Sequence, residues 1–453
     1  MSTAIALFTR DLRVHDNPAL AAAAESADLV VPLFVLDEAI LRLDYNRPNR
    51  ARFLAESLAD LDGSLRDRGA GLVVRRGDVV DEVAKLADDV GAGQIHLATD
   101  VSGYAQRRQQ RLQQRLDAAG RQLCLHDASV TVVPPGEVIA SGKDFMAVFT
   151  PYHRKWERQR RRDPLPPPNR IGLPRVARGR VPTQQDICPG ETSPDLLPGG
   201  ESAGRQRLDA WLRDGVQGYA DRNDGLATDA TSRLSSYLHF GCLSATEVVH
   251  RAGDSASAPA FVRQVCWRDF HHQVLAARPT AVTADYRSRG DRWRRDDGAF
   301  TAWQEGRTGY PVVDAGMRQL AREGWMHNRA RLIVGHFLCK TLYVDWRLGA
   351  RHFFDLLIDG DMANNTMNWQ WVAGTGTDSR FNRIMNPVTQ GRRHDPDGDY
   401  VRRYVPELAE VVGPSVHQPW VLPVELRRHL DYPDPIVDFA EATEEFLRAR
   451  GKR

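Results

Sequence analysis

Short apolar runs alternate with longer amphipathic stretches through the first 130 residues. The runs at 5–8, 29–36, 72–74, 95–98 and 123–125 read as buried strands, and stretches such as 51–68, 79–90 and 104–119 read as helices. Strands alternating with helices of that length predict an α/β domain built on a doubly wound, parallel, five-stranded sheet. Pro32 lies inside the second run, where a missing N–H should force a bulge or a late strand start. No G-x-G-x-x-G follows the first strand; Ala6-Leu7-Phe8-Thr9-Arg10-Asp11 stands in its place, which removes the main support for a nicotinamide dehydrogenase.

Between about 163 and 204 the chain is rich in Pro and Gly, with a Pro164-Leu165-Pro166-Pro167-Pro168 run, and reads as a connector. After 204 the pattern is helical nearly throughout, with apolar residues at three- and four-residue spacing in 312–342, among them Met317, Leu320, Ile333 and Phe337. The expected organisation is an α/β domain at 1–130, an interdomain linker at 131–203 and a larger all-α domain at 204–453. A length of 453 residues suits two or three domains.

A formal charge of +2 excludes a polybasic protein, so any nucleic-acid partner must be met by a local patch. Only five of the 61 basic residues are Lys, leaving 56 Arg, whose forked guanidinium suits phosphate and carboxylate. The basic run Arg154, Lys155, Arg158, Arg160, Arg161, Arg162 reads as a solvated helix end. Cys124, Cys188, Cys242, Cys266 and Cys339 lie far apart with no C-x-x-C pair, so neither a disulfide framework nor a metal cluster is expected. Early charges at Arg10, Asp11 and Arg13 argue against a signal peptide, and the 29–36 run is too short to cross a bilayer. A cytoplasmic protein with no membrane partner is expected.

Four segments of the helical half are unlike ordinary core. Thr231-Ser232-Arg233-Leu234-Ser235, with Tyr219 upstream, could cap a helix or donate to phosphates. Gln264, Trp267 and Arg268 share one side of a helix, and a Trp beside an amide suits a flat, polar-edged ligand. Trp325-Met326-His327-Asn328-Arg329-Ala330-Arg331 contains a histidine that, alone, is more often structural than catalytic. The densest runs from Asp359 to Trp371 and on through Gly374-Thr375-Gly376-Thr377-Asp378. Its Asp-Gly-Asp start imitates a calcium loop but lacks the further acidic ligands. So many polar groups among aromatics are costly to bury unless they surround a ligand.

Together with the opening Phe8-Thr9-Arg10-Asp11-Leu12-Arg13-Val14-His15-Asp16-Asn17-Pro18 and with Arg383-Ile384-Met385-Asn386-Pro387, these segments resemble the photolyase/cryptochrome family, most of all its bacterial class I cyclobutane pyrimidine dimer photolyases. The resemblance implies that the all-α domain binds FAD. Tyr219, Thr231, Ser232, Arg233, Leu234, Ser235 and Phe261 match cofactor-side positions, as do Arg268, Arg331, Asp359, Gly360 and Asp361. Asn365 matches the residue facing flavin N5, where a neutral amide favours a reduced, anionic flavin and hence repair. Trp369, Trp346 and Trp293 match a chain of three tryptophans from flavin to surface. The implied partner is UV-damaged DNA, bound by a monomer. Gln264, Trp267, Asn328, Leu332 and Trp371 form the implied lesion pocket, with Arg329, Arg383, Gln390, Arg392 and Arg393 at the DNA backbone.

Two departures matter. Gln264 and Leu332 stand where most bacterial dimer photolyases carry Glu and Met. Gln at this place resembles (6-4) photolyases, which however have His where Leu332 lies. Repair of cyclobutane dimers is therefore expected, with (6-4) repair or a cryptochrome photoreceptor as the rivals; the chain ends soon after Pro406, leaving no long signalling tail. An antenna pigment is implied in the N-terminal domain. Asp100, at a strand end, favours 8-hydroxy-5-deazaflavin over methenyltetrahydrofolate or a flavin.

Overall fold

The computed structural model describes residues 1–253 and 257–451, which divide into two compact units. The first comprises 1–192, 197–219 and 232–279; the second comprises 193–196, 220–231 and 280–453. The helices that follow residue 204 are therefore shared between both units.

The first unit is built on five parallel strands, β1 (Thr3–Phe8), β2 (Leu29–Asp37), β3 (Val73–Gly77), β4 (Gln94–Ala98) and β5 (Gln122–His126), in the order β3-β2-β1-β4-β5. Helices α1 (Pro18–Ser26), α2 (Pro48–Arg66), α3 (Val79–Val90) and α4 (Gly103–Asp117) connect them. Every residue of β1 is buried, as expected of a strand covered on both faces. On α3, Val79, Val83 and Leu86 recur at helical spacing and pack on Ile5, Val31, Leu33 and Ile95. Asp78 caps its start by accepting from the Val80 and Asp81 amides, and Gly91 at φ 64° ends it.

The expected bulge at Pro32 is absent: β2 pairs continuously with β1, Pro32 opposite Ala6. Pairing with β3 begins only at Leu33 opposite Val73, so Pro32 stands where no ladder bond is owed. The Pro-rich connector runs along this edge, its Gly172 and Arg178 carbonyls accepting from the Val30 and Val74 amides at 2.7 Å each. That covers a sheet edge that would otherwise template aggregation. The connector is not wholly irregular, for α5 (Phe149–Trp156) precedes its Pro run.

Arg13 of the opening motif is almost fully buried, donating to the carbonyls of Asp16, Ser129 and Gly241. Gly241 ends α6 (Ser235–Phe240) at φ 69°, and a Cβ there would overlap the Arg10 carbonyl. The opening motif thus ties the sheet to a helix some 230 residues later.

In the second unit, α8 (Pro311–Glu323), α9 (Asn328–His336), α10 (Trp346–Leu356), α11 (Met362–Ala373) and the C-terminal α12 (Phe439–Ala449) surround one apolar core. The helical stretch expected over 312–342 breaks at Gly324, which takes φ 58°. It restarts at His327, whose Nδ1 accepts from the Arg329 amide, so this histidine serves as an N-cap. Among the described residues no helix is long and apolar enough to cross a membrane.

His96 on β4 is buried, with Ser26 Oγ 3.3 Å from Nε2 and His126 Nε2 3.0 Å from Nδ1. Burial lowers its pKa to about 4. The unfolded chain therefore takes up a proton near pH 6.5 that the folded chain refuses until about 4, so stability falls as pH drops through that window. Urea unfolding at pH 7 and pH 5 is expected to show this loss, and His96→Gln to make the slope shallower by roughly one proton. An unchanged slope would mean that His96 is already protonated in the fold.

Candidate active site

The expected site residues divide between the two units. In the first, α7 (Ala258–Ala277) carries Gln264, Trp267 and Arg268, and its position is fixed by two consecutive buried side chains. Arg268 donates to the carbonyls of Val130 and Leu238. Asp269 accepts from the Val132 and Val133 amides at 3.0 Å and from Trp156 Nε1 at 2.9 Å. Burial pushes the Asp269 carboxyl up to about 6 despite those three donors.

Trp267 is half-buried, and Phe149 of α5 stacks on one of its faces at 3.5 Å with only 5° between the planes. A backed indole is a rigid platform that keeps one face for a flat partner. Phe149 gave no signal in the sequence, because only the tertiary fold brings α5 to α7. Gln264 is exposed, whereas Tyr219 and Phe261 are buried and pack edge to face. Before α6, the Ser232 carbonyl accepts from Arg207 Nε and Arg233 takes φ 51°. Leu234, not a hydroxyl, occupies the N-cap of α6 with no side-chain bond, so the capping explanation of this hydroxyl cluster fails.

Asp100 sits just beyond β4, beside the point where the strand order reverses between β1 and β4, the usual ligand crevice of such sheets. It accepts from Arg10 Nη1 at 3.3 Å and from the Val101 amide at 2.6 Å. With Thr99, Val130, Thr131 and His272 it lines a cavity.

In the second unit, α10 and α11 form a close pair. Asn365 Nδ2 donates to the Ala350 carbonyl at 3.1 Å. One turn along, Trp369 lies flush on Gly349, where any Cβ would overlap its Cη2 and Cζ3. Asp361 caps α11 through the Asn364 amide at 2.8 Å. Asp359 accepts from Arg331 Nη2 at 2.8 Å, and its other oxygen, Oδ1, is buried without a hydrogen-bond partner. Thr231 Oγ1 is in the same condition. Buried polar atoms with spare capacity are what a ligand rich in hydroxyls and phosphates would satisfy, so these residues fit the expected FAD. Gly360 forms the short corner between the two aspartates.

Trp369 and Trp346 are buried and Trp293 is half-buried, all three in or against one core. Trp346 Nε1 donates to Asp285 at 2.9 Å, and the Arg347 guanidinium lies 4.7 Å above its ring. Trp303, which the sequence did not single out, meets Trp369 edge to face at 6.0 Å.

Asn328, Arg383, Arg392 and Arg393 are exposed, while Leu332, Trp371 and Gln390 are half-buried. Arg329 is less available than expected, because both its Nε and Nη2 bind Asp224, at 3.1 and 2.6 Å. His336 is buried edge-on to Trp371 at 6.0 Å, and neither ring nitrogen has a hydrogen-bond partner.

Residues 4–169 match the family model described as DNA photolyase, and residues 261–452 match the FAD binding domain of DNA photolyase. A deoxyribodipyrimidine photo-lyase of Streptomyces griseus is 56% identical, with all of both chains covered. The chain belongs to the photolyase/cryptochrome family. A cryptochrome DASH of Natronomonas pharaonis is 36% identical over 97% of this chain and 98% of its own. The crystal structure of a bacterial class III photolyase from Agrobacterium tumefaciens superposes with a TM-score of 0.93 at 33% identity, covering 100% of this chain and 97% of the other.

For this family member, Gly349→Ala is expected to push Trp369 off α10 and destabilise the protein by about 1–3 kcal/mol, the usual cost of overpacking. Denaturant unfolding and tryptophan fluorescence would read it. Wild-type stability with unchanged fluorescence would show that the two helices are not so closely apposed.

Proposed function

We propose that this protein is a deoxyribodipyrimidine photo-lyase that repairs cyclobutane pyrimidine dimers in UV-damaged DNA, using FAD and light. The observation that carries the reading is Asn365, a buried neutral amide held by the Ala350 carbonyl at 3.1 Å. An amide has no acidic proton to deliver, so it suits a cofactor used in its reduced, anionic form. When bound, FAD supplies light-driven one-electron chemistry, which the chain's own side chains must position.

In this reading Asp359, Thr231, Ser232 and Ser235 hold the polar parts of the cofactor. Arg331 and Arg268 set the charge around it, with Tyr219, Arg233, Leu234, Phe261, Gly360 and Asp361 completing its surroundings. Trp267, backed by Phe149, stacks on a lesion turned out of the duplex, with Trp371 and Leu332 as further apolar wall. Gln264 and Asn328 bond the base edges. Gln264 keeps a carbonyl acceptor and adds a donor but carries no charge. Arg383, Gln390, Arg392 and Arg393 meet DNA phosphates, and Arg329 does so by exchanging Asp224 for phosphate. The crevice at Asp100 takes the antenna, for which 8-hydroxy-5-deazaflavin is preferred to methenyltetrahydrofolate. The protein acts as a cytoplasmic monomer.

Illumination of the reduced holoprotein with dimer-bearing oligonucleotide is expected to release intact thymines, and darkness to release none. Chromatography of the digested product decides it. No repair under light would overturn the reading, and repair confined to (6-4) lesions would transfer it to that substrate.

Trp293→Phe is expected to abolish photoreduction of the oxidised cofactor by external donors while leaving repair by already reduced enzyme intact. Electrons enter through Trp293, Trp346 and Trp369, whereas repair uses none of the three. Phe keeps most of the volume, so packing loss is modest, but it is far harder to oxidise. Steady-state photoreduction and single-turnover repair on the same variant separate the two paths. Undiminished photoreduction would remove Trp293 from the chain.

A further inference from the structure

Lys340 is one of five lysines in the chain, and it is completely buried. It stands on a π turn (Phe337–Thr341) that continues α9, closed by the Leu342 amide donating to the Phe337 carbonyl at 2.9 Å. Such turns are rare and gather at functional sites. Lys340 Nζ donates to the Arg383 carbonyl at 2.6 Å, and among the described residues no carboxylate forms an ion pair with it. A buried ammonium without an acidic partner is costly, and an apolar chain of the same length would fill the space without that cost. The groups facing it are His336 and Cys339 from its own helix, Asp378 and Arg383 from the segment after α11, and Arg450 from the end of α12, with the Phe446 ring 6.0 Å away. Burial lowers the Lys340 pKa to about 7, helped by the Arg450 and Arg383 charges and opposed by Cys339 and Asp378. Burial also keeps His336 neutral and the Cys339 thiol protonated.

The segment 374–386, between α11 and the helix Pro387–His394, has no helix or ladder of its own to hold it. Its first residues are tied down by the Arg287 amide, which donates to the Thr375 carbonyl at 2.7 Å, and by Arg289 Nε on the Gly374 carbonyl at 3.1 Å. The Arg289 guanidinium also covers the Phe381 ring at 3.8 Å. Farther along, the Arg383 amide donates to the Arg380 carbonyl at 2.9 Å, and the Arg383 side chain is exposed while its carbonyl is turned in to Lys340. We propose that Lys340 is a positioning residue for DNA binding, which fixes the Arg383 backbone from the core as a charged donor and so aims the Arg383 guanidinium at phosphate. This rests on reading Arg383 as a phosphate contact. A charge-assisted hydrogen bond is about twice as strong as a neutral one, so the grip on the segment depends on the proton. Below about pH 7 Lys340 is an ammonium and holds firmly; as pH rises through that value it becomes an amine, the hold loosens and affinity for DNA falls. A phosphate seated on Arg383 adds negative charge near Lys340 and favours the ammonium, so binding near neutrality takes up protons. Phosphodiesters and guanidiniums keep their charge across this range, so they contribute no such slope.

The test uses the holoprotein in the dark. Affinity for a dimer-bearing oligonucleotide, read by fluorescence anisotropy at fixed salt, is expected to fall several-fold between pH 6 and pH 8.5. Lys340→Met, which keeps the length of the side chain, should bind several-fold more weakly at pH 6 and lose the slope. Under light, the same variant should need several-fold more DNA for half-maximal repair and still reach a maximal rate near that of the wild type. Amide exchange across 380–386, followed by mass spectrometry, should quicken several-fold in the variant. Calorimetry of the wild type in phosphate and in Tris needs no variant that folds, and the two heats should differ by the amount that proton uptake on binding requires. Unchanged affinity in Lys340→Met, where Arg383→Ala binds weakly, overturns the proposal and leaves the functional reading standing. Unchanged affinity in Arg383→Ala overturns the phosphate assignment and, with it, the proposal. Equal heats in the two buffers, or a wild type whose affinity is flat with pH, also overturn it.

Discussion

The apposition of α10 and α11 is the constraint on which the rest of the second unit depends. Gly349 lets the Trp369 ring lie against the α10 backbone, and the adjacent Ala350 carbonyl takes the Asn365 amide one turn earlier on α11. Positions 365 and 369 are four apart, so they share one face of α11, as helical spacing demands. The Asn365 amide and the Trp369 ring are thereby set by a single helix-to-helix register. A shift of either helix would move both together.

The buried polar groups differ in how completely their hydrogen bonds are made. Arg13 and Gln370 are saturated by backbone partners: Gln370, for example, accepts from the Tyr286 amide and donates to the Ala281 and Ala284 carbonyls. Their work is to pin irregular segments that no ladder could hold. Asp359 and Thr231 are instead left with a buried oxygen unsatisfied. An unmade bond of that sort costs on the order of 1–3 kcal/mol, which the polar groups of a bound ligand would recover.

The same contrast recurs among the aromatics. Trp303 is wholly buried, its Nε1 bonded to the Val334 carbonyl, and it reads as core that buttresses Trp369. Trp267 and Trp293 are half-buried, Trp267 stacked on Phe149 with Phe270 and His271 nearby, and Trp293 tilted against Tyr343. Partial burial against a neighbouring ring gives an aromatic a fixed position without sealing it from solvent.

Hydrophobic periodicity alone determined the parallel sheet and the helical half, because burial on one face must repeat at the period of the element. Thus 79–90 was legible as a helix to the residue. The motif residues announced themselves too, since polar groups crowded among tryptophans at 359–378 have no cheap explanation as core. Only the tertiary structure decided the rest. Pro32 sits unbulged because β3 starts one residue later. Arg329 is engaged by Asp224, a residue about a hundred positions away. Phe149 behind Trp267, Gly349 beneath Trp369 and Tyr343 beside Trp293 belong to separate elements, and no local pattern joins them. Periodicity reports which face of an element is buried; what lies against that face is a property of long-range packing, which a single sequence does not encode in any short window.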